Sequence, residues 1–279
     1  MASLTDSNQF LSNLVDDLQA SGRYTVSLPE VLERLGVSEI AAANAIRRLR
    51  EKGRLASPRR GFYVIVPIEY RSAGSPPPSW FIDELMRFIG RPYYVGLLSA
   101  AGLHGASHQQ AMAFQVVTDR PTRPATAGRV RIEFHMSRLV ERAPIAQIQT
   151  ETGSMRVSTP ELTALDVVRF AEACGGWDNV ATVLTELGAT LDGGRLAEVA
   201  EGAKAPDLQR LGYLLDRAGH GRVADSLLRV LSSHRWRPVL LSPGYPAGES
   251  VPVAPWRVVD NLGLDADDPI RRAQHLPCP

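Results

Sequence analysis

The sequence lacks the features that mark secreted, membrane-spanning or zinc-stabilised proteins. It has only two cysteines, Cys174 and Cys278, too few and too far apart for a disulfide framework or a structural zinc site. No apolar run reaches the roughly 18 residues that a membrane-spanning helix needs. The opening residues, MASLTDSNQF, lack the basic-then-apolar order of a signal peptide. These absences favour a protein of the reducing cytoplasm.

Lysine is also scarce, because it occurs only at positions 52 and 204 and nearly every cation is an arginine. The formal net charge of the 279 residues is only +1, which argues against a protein that coats nucleic acid along its whole surface. One local basic patch is compatible with this balance. With 44% hydrophobic and 22% charged residues the chain has an ordinary globular composition, and its length allows two or three domains.

Enzyme motifs are missing as well. There is no phosphate-binding loop, dinucleotide fingerprint or G-x-S-x-G elbow. Gly74-Ser75 and Gly153-Ser154 resemble the start of a nucleotidyltransferase Gly-Ser turn, but no paired carboxylates follow to hold two metal ions. Cys174 has no nearby histidine to stabilise a thiolate and is expected to be a small buried side chain. The sequence therefore predicts no catalytic residue and no cofactor.

Two groups of residues are weak candidates for a metal site. His104 and His108 lie four residues apart, but the residues between them lack the glutamate of the hydrolytic zinc motif, and Gly105 is expected to end the helix. The acidic cluster formed by Asp265, Asp267 and Asp268 has the oxygen ligands that divalent cations prefer. It lies in a polar tail, so a solvated turn is the expected structure, and we predict no metal site.

Residues 37–66, VSEIAAANAIRRLREKGRLASPRRGFYVIV, carry the strongest structural signal. Ser38 is suited to cap a helix from Glu39 to about Lys52, and Gly53 supplies the left-handed residue that ends it. A turn at 58–61 and an alternating apolar run at 62–66 then predict a β-hairpin. A helix that leads into such a hairpin is the order of elements in a winged helix-turn-helix.

The predicted helix has two faces. Ala43, Ile46 and Leu49 recur at three-residue spacing and are expected to face the core. The roughly opposite side carries Ala41, Asn44, Ala45, Arg48 and Lys52. Its small residues would let the backbone approach base edges. Asn44 is suited to pair with adenine, and Arg48 with guanine or a phosphate.

Positive charge is concentrated in the same stretch. Residues 37–66 hold seven cations and two anions, a net charge of +5. Arg59 and Arg60 lie at the tip of a short hairpin, where both guanidinium groups are expected to point outward. A solvated helix with charge pairs four residues apart is the alternative reading. Together these features predict double-stranded DNA binding. The predicted DNA-binding residues are Ser38, Asn44, Arg47, Arg48, Lys52, Arg59 and Arg60.

The flanking sequence defines the predicted domains. Helices at 8–20 and 28–35, with a short strand at 24–26, complete a three-helix domain over residues 1–72. Its expected core residues are Leu14, Leu18, Val31, Leu32, Leu35, Ile40, Ile46 and Leu49. Residues 73–78 lie in a proline-rich stretch expected to be a linker that buries nothing. A C-terminal domain is predicted for 79–279, with two lobes at about 79–158 and 159–279.

The C-terminal domain is expected to be a mixed, mostly helical α/β structure, so the fold class of the chain is α+β. Thr159 caps one predicted helix, with Pro160 at its first position. The other predicted helices span about 80–88, 95–103, 178–187, 193–201, 207–218 and 222–233, and the strands 113–118, 129–136 and 155–157. From Pro238 onward the chain is expected to be irregular.

Several segments resemble the AbiEi family, the antitoxins of bacterial type IV toxin–antitoxin pairs. The segment RRLREKGRLASPRRGFYVI is similar to the winged helix and wing of that family. YYVGLLSAAGLHGASHQQ, at 93–110, is similar to its tyrosine pair, small-residue helix and His-Gly ending. Three further segments, STPELTALDVVRF, LQRLGYLLDRAG and WRVVDN, resemble the family in the same order. The long proline-rich C-terminal tail departs from it.

The resemblance implies a function. Members of the family repress their own operon by binding inverted repeats in promoter DNA. They also counter a co-encoded nucleotidyltransferase toxin through the C-terminal domain, without requiring stable contact with the toxin. Two alternatives remain open from the residues alone. One is an ordinary winged-helix repressor whose C-terminal domain oligomerises or senses a ligand, and the other is an uncharacterised enzyme.

Overall fold

The computed structural model describes residues 4–106, 112–233 and 235–264, with side chains from Gln9 onward. These residues form an α+β fold with two compact units. The first unit takes in the described residues of 1–99 and 110–158, and the second those of 100–109 and 159–279. None of the described helices is long and apolar enough to cross a membrane.

The helices and strands are numbered in chain order. The helices are α1 (Leu4–Ala20), α2 (Leu28–Leu35), α3 (Glu39–Glu51), α4 (Ile82–Ile89), α5 (Leu97–Leu103), α6 (Pro160–Arg169), α7 (Trp177–Leu187), α8 (Gly193–Ala200), α9 (Ala205–Arg217) and α10 (Gly221–Ser232). The strands are β1 (Thr25–Ser27), β2 (Leu55–Arg59), β3 (Phe62–Ile65), β4 (Tyr93–Val95), β5 (Phe114–Thr118), β6 (Ala125–Ala127), β7 (Val130–Met136), β8 (Ile145–Thr150), β9 (Gly153–Ser158), β10 (Val239–Leu240), β11 (Pro252–Val253) and β12 (Val258–Val259).

The first unit begins with the predicted winged helix. Helices α1, α2 and α3 pack around one apolar core, and β1, β3 and β2 form an antiparallel sheet in that order. Of the core residues predicted from the sequence, Leu32 and Leu35 are partly buried against the core, and Leu14, Leu18, Val31, Ile46 and Leu49 lie within it. The prediction for Ile40 is wrong, because its side chain is 76% exposed.

The rest of the first unit is built on a six-stranded mixed sheet in the order β6-β7-β5-β4-β9-β8. The pairs β5–β7 and β4–β9 are parallel, and the other neighbours are antiparallel. The predicted strands at 113–118, 129–136 and 155–157 correspond to β5, β7 and β9. The sequence did not predict β4, β6 and β8, and Val95, expected to begin a helix, ends β4 instead.

The stretch at 73–78 is packed rather than extended. Ser75 is only 2% exposed, and its hydroxyl donates to the carbonyl of Pro76 at 2.9 Å. The amide of Arg129 donates to the carbonyl of Ala73 at 2.8 Å, which ties the stretch to the turn between β6 and β7. The expectation that this linker buries nothing is therefore wrong. That residues 1–72 form a separate domain stays a prediction.

Aromatic side chains join the winged helix to the rest of the first unit. The rings of Tyr24 and Tyr70 both contact Trp80, with centroids 4.7 and 5.3 Å away, and Phe62 of the wing contacts Phe88 of α4 at 5.3 Å. Pairs of this kind each contribute about 0.5–1.5 kcal/mol beyond the burial of their area. The winged helix is thus held by specific contacts and not by a free tether.

The second unit is mostly helical, as predicted for 159–279. Thr159 caps α6 by accepting the amide of Leu162 at 3.4 Å, and Pro160 occupies the first helical position. The segment after Pro238 is not wholly irregular, because β12 pairs in parallel with β10 and antiparallel with β11. In the sequence Trp256 lies between β11 and β12 of this small sheet. Its side chain is only 1% exposed and packs against Gly212 of α9.

Candidate nucleic-acid interface

Helix α3 begins as the sequence predicts. The hydroxyl of Ser38 accepts the backbone amide of Ala41 at 3.3 Å, so one of the orphan amides of the first turn has a partner. Gly53 follows the helix with φ +67°, a conformation that favours glycine. Helix α3 is 13 residues long, which corresponds to about 20 Å. An α-helix with its side chains is about 10–12 Å across, which fits the major groove of B-DNA, about 12 Å wide.

The faces of α3 are rotated from the prediction. The buried side chains are Ala42, Ala45, Ile46 and Leu49. Ala43, predicted to face the core, is exposed, and Ala45, predicted to face outward, is 3% exposed. Asn44 and Arg48 lie at the edge of the outer face and are half-buried. The centre of the outer face is formed by Ile40, Ala43 and Arg47.

The cations of α3, and Lys52 directly after it, differ in whether they have protein partners. Arg47 donates to the carboxylate of Glu51 at 2.6 Å, one helical turn away, and both side chains are 59% exposed. A surface pair of this kind contributes little to stability, so its arginine is free to exchange partners. Within the described residues, no carboxylate lies within 4 Å of Arg48, Arg50 or Lys52. These three cations are available to an external anion.

The two arginines of the wing, which were both predicted to point outward, have different environments in the structure. Arg60 is exposed at the turn between β2 and β3. Arg59 ends β2, and its guanidinium donates to the carbonyls of Arg123 and Pro124, the latter at 3.4 Å. It also lies 5.6 Å from the centre of the Phe134 ring, which favours a cation–π contact. The expectation that both guanidinium groups point outward is wrong for Arg59.

Partial burial, and then the nearby positive charge of Arg123, lower the pKa of the Arg59 guanidinium. Arginine remains protonated at neutral pH, so the side chain keeps its charge while its hydrogen-bond donors are used within the protein. The two carbonyls belong to residues that follow Arg59 by 64 and 65 positions in the chain, so the sequence around Arg59 gives no signal for these hydrogen bonds. A role for Arg59 in DNA binding stays a prediction.

The turn between β6 and β7 extends the surface beside α3. An open groove of about 470 Å³ lies there, with Arg47 and Arg50 on one side and Thr126 and Gly128 on the other. The groove brings together residues of the winged helix and of the six-stranded sheet, all within the first unit. The sequence did not predict this second wall, since residues 125–127 gave no strand signal.

The structure describes only some of the residues considered for chemistry. Cys174 is fully buried, as expected, and its carbonyl accepts the side-chain amide of Asn179 at 2.7 Å. Within the described residues, no three His, Cys, Asp or Glu side chains are grouped so that they could hold a metal ion. His108 and the cluster at Asp265, Asp267 and Asp268 lie outside the described residues, so the structure does not test those candidates.

Comparisons with known proteins match both parts of the chain. Residues 13–66 match the family model for an AbiEi antitoxin transcriptional regulator, and residues 94–217 match the model for the AbiEi antitoxin C-terminal domain. Together the two matches cover more than half of the chain. The chain belongs to the AbiEi antitoxin family. The first AbiEi match contains all the predicted DNA-binding residues, from Ser38 to Arg60.

The AbiEi chain is also similar to a solved structure. The crystal structure of RV2827C protein from Mycobacterium tuberculosis superposes with a TM-score of 0.67 over 91% of this chain and 92% of that one, at 19% sequence identity. At this identity the likeness shows the fold alone. A comparison with curated protein sequences gives no significant match.

Proposed function

We propose that this AbiEi protein is the antitoxin of a type IV toxin–antitoxin pair that also represses its own operon. It binds inverted repeats in the promoter DNA through α3 and the wing, and it counters a co-encoded nucleotidyltransferase toxin in the cytoplasm. The observation that carries the proposal is the group of cations on α3 and at its C-terminal end, of which Arg48, Arg50 and Lys52 have no carboxylate within 4 Å in the described residues, on a winged helix in a chain of this family.

The DNA contacts divide by chemistry. Asn44 is suited to pair with adenine, because it lies at the edge of the outer face of α3 and its side-chain amide has both a hydrogen-bond donor and an acceptor. Arg47, Arg48, Arg50, Lys52 and the wing supply charge for phosphates, which fixes register and not sequence. Ser38 acts through the helix start that it caps, where the positive end of the helix dipole favours a phosphate.

The wing supplies the first test. Arg60→Ala should leave the free energy of unfolding unchanged and flatten the slope of log affinity against log salt by about 0.9, the loss of one phosphate contact. Arg59→Ala should instead lower the unfolding midpoint, because it removes hydrogen bonds and a ring contact that hold the wing. The measurements are thermal unfolding by circular dichroism and fluorescence titration of promoter DNA across a salt series.

Each wing variant is the control for the other. A salt slope unchanged in Arg60→Ala would show that the wing tip does not touch phosphate. A flattened slope in an equally stable Arg59→Ala protein would show that Arg59 contacts DNA despite its partners in the free protein.

Antitoxicity is proposed to need no catalysis by the antitoxin. The second AbiEi match, 94–217, contains His104 and Cys174, but Cys174 is buried at the end of a short helical turn that starts at Ala171, and His104 follows the end of α5. In the sequence neither residue belongs to a motif that combines a nucleophile, a base and an orienting partner. The domain is therefore expected to act by binding or by an indirect route.

Protection of cells tests this proposal. The full chain and its His104→Ala and Cys174→Ala variants are expressed with the nucleotidyltransferase encoded by the neighbouring reading frame, and colony formation is counted. All folded forms should restore growth to the same extent. If a variant keeps stability and promoter binding but loses protection, the antitoxin has a chemical site that this account omits. If the wild-type chain gives no protection, the antitoxin assignment fails and the ordinary repressor remains.

A further inference from the structure

One large apolar side chain lies at the centre of the surface proposed to face DNA. Ile40, the second residue of α3, is 76% exposed, the largest exposure of any isoleucine in the described residues. The buried residues of α3 begin at Ala42, so Ile40 has no place in the core of the winged helix. An isoleucine left in water loses the stabilisation of about 1.5–3 kcal/mol that its full burial would give.

The exposed apolar surface continues along the helix. Ala43 is exposed one turn after Ile40, and Arg47 follows on the same face. Side chains of a helix tilt toward its N-terminus, so Ile40 extends toward the capped end formed by Ser38. In a winged helix the N-terminal half of the recognition helix enters deepest into the major groove. Ile40 and Ala43 would therefore face base edges, whereas the cations of the C-terminal half would face the backbone.

The chemistry of these two side chains selects one base. Neither isoleucine nor alanine can donate or accept a hydrogen bond, so neither can distinguish adenine, guanine or cytosine by pairing. Thymine alone presents an apolar group, its C5 methyl, in the major groove. We infer that Ile40, assisted by Ala43, reads thymine methyl groups in the operator and is a specificity-determining residue. This inference rests on the proposed DNA-binding function and adds a base preference to it.

The test removes one methyl group at a time from the DNA. Full-length protein is titrated with promoter duplexes in which each thymine of the protected site is replaced by deoxyuridine, which keeps every hydrogen bond and lacks only the methyl. For the wild-type chain, deoxyuridine at one or two positions in each half-site should weaken binding about fourfold, which is the effect of removing one buried methyl-sized group from the contact. In Ile40→Ala, deoxyuridine at those positions should change affinity by less than about twofold.

A matched variant controls for general loss of apolar surface. Ile68 is 74% exposed in the same unit and lies outside α3, in a short helical turn after β3. Ile68→Ala should keep the wild-type response to deoxyuridine at every position. Both isoleucines are largely exposed, so neither substitution is expected to affect folding, and circular dichroism verifies this.

The outcomes separate the inference from the function on which it rests. Tight promoter binding with no response to deoxyuridine, or an equal response in wild type and Ile40→Ala, overturns the inference and leaves the DNA-binding function intact. The same applies if Ile40→Ala loses toxin protection while its promoter binding is unchanged, since Ile40 would then contact protein. If wild-type protein binds promoter and scrambled duplexes equally, the proposed sequence-specific function fails, and this inference fails with it.

Discussion

Replacing Trp256 with alanine is expected to destabilise the second unit by about 3–5 kcal/mol, the cost of emptying a buried aromatic site. Its side chain is 1% exposed, and its indole nitrogen donates to the Asp216 carboxylate at 3.3 Å. Its carbonyl accepts the side-chain amide of Gln209 at 2.8 Å. The segment around Trp256 thus fastens the C-terminal part of the described chain to α9.

The packing partner of this tryptophan is a helical glycine. A Cβ atom on Gly212, in the middle of α9, would overlap the six-membered ring of Trp256. Alanine is ordinarily preferred over glycine inside a helix by up to about 1 kcal/mol. Here the overlap should dominate, since the ring is buried and its indole nitrogen is hydrogen-bonded to Asp216, and Gly212→Ala is expected to destabilise by about 1–3 kcal/mol.

The double variant gives the sharpest result. Once Trp256 is alanine, the overlap is gone, so Gly212→Ala should change from destabilising to neutral or stabilising. Gly102 is the control, because it lies in α5 with no atom within 4 Å of its would-be Cβ, and Gly102→Ala should be neutral or stabilising in both backgrounds. Urea unfolding followed by circular dichroism measures wild type and the five variants. Equal penalties for Gly212→Ala with and without Trp256 would show that the two residues do not pack together.

The limits of helix α3 were predictable because they depend on neighbours in sequence. Ser38 and Gly53 determine where the helix starts and stops, and both act within a few residues of themselves. The orientation of the helix was harder to predict, since it depended on which of the four alanines of α3 faced inward. Alanine carries almost no burial preference, and the prediction chose Ala43, whereas Ala42 and Ala45 complete the spacing of Ile46 and Leu49.

The features that sequence reasoning missed depend on contacts between distant residues. Arg59 looks like a wing-tip cation until the carbonyls of Arg123 and Pro124 are placed beside it. Strand β4 has only three residues, all buried, so it shows no alternation of apolar and polar side chains. Ser75 lies in a sequence typical of a linker and is buried because the β6–β7 turn packs on its neighbours. Composition and periodicity cannot predict such contacts.

The central claim is that the cations of α3 bind promoter DNA. Arg48, Arg50 and Lys52 have no carboxylate within 4 Å in the described structure, so replacing all three with alanine should remove their charge without breaking an ion pair. Each lost phosphate contact lowers the salt slope by about 0.9, so the triple variant should lose about 2.7 units of slope. At 0.1 M salt this corresponds to a loss of affinity on the order of 10²–10³-fold.

A second triple variant controls for the change in net charge. Arg195, Arg222 and Arg229 are exposed in the second unit, and their replacement by alanine removes the same number of positive charges outside α3 and the wing. This variant should bind promoter DNA within a few-fold of the wild-type affinity, because it changes only the net charge of the protein, and the long-range effect of net charge is screened at 0.1 M salt.

The decisive measurement is the fluorescence titration of promoter duplex by wild type and both triple variants across a salt series. The account predicts a slope about 2.7 units flatter for the α3 variant alone, with circular dichroism spectra that match wild type. Equal slopes and affinities for the α3 variant and the second-unit variant would contradict it, since the outer face of α3 would then not be the surface that holds DNA.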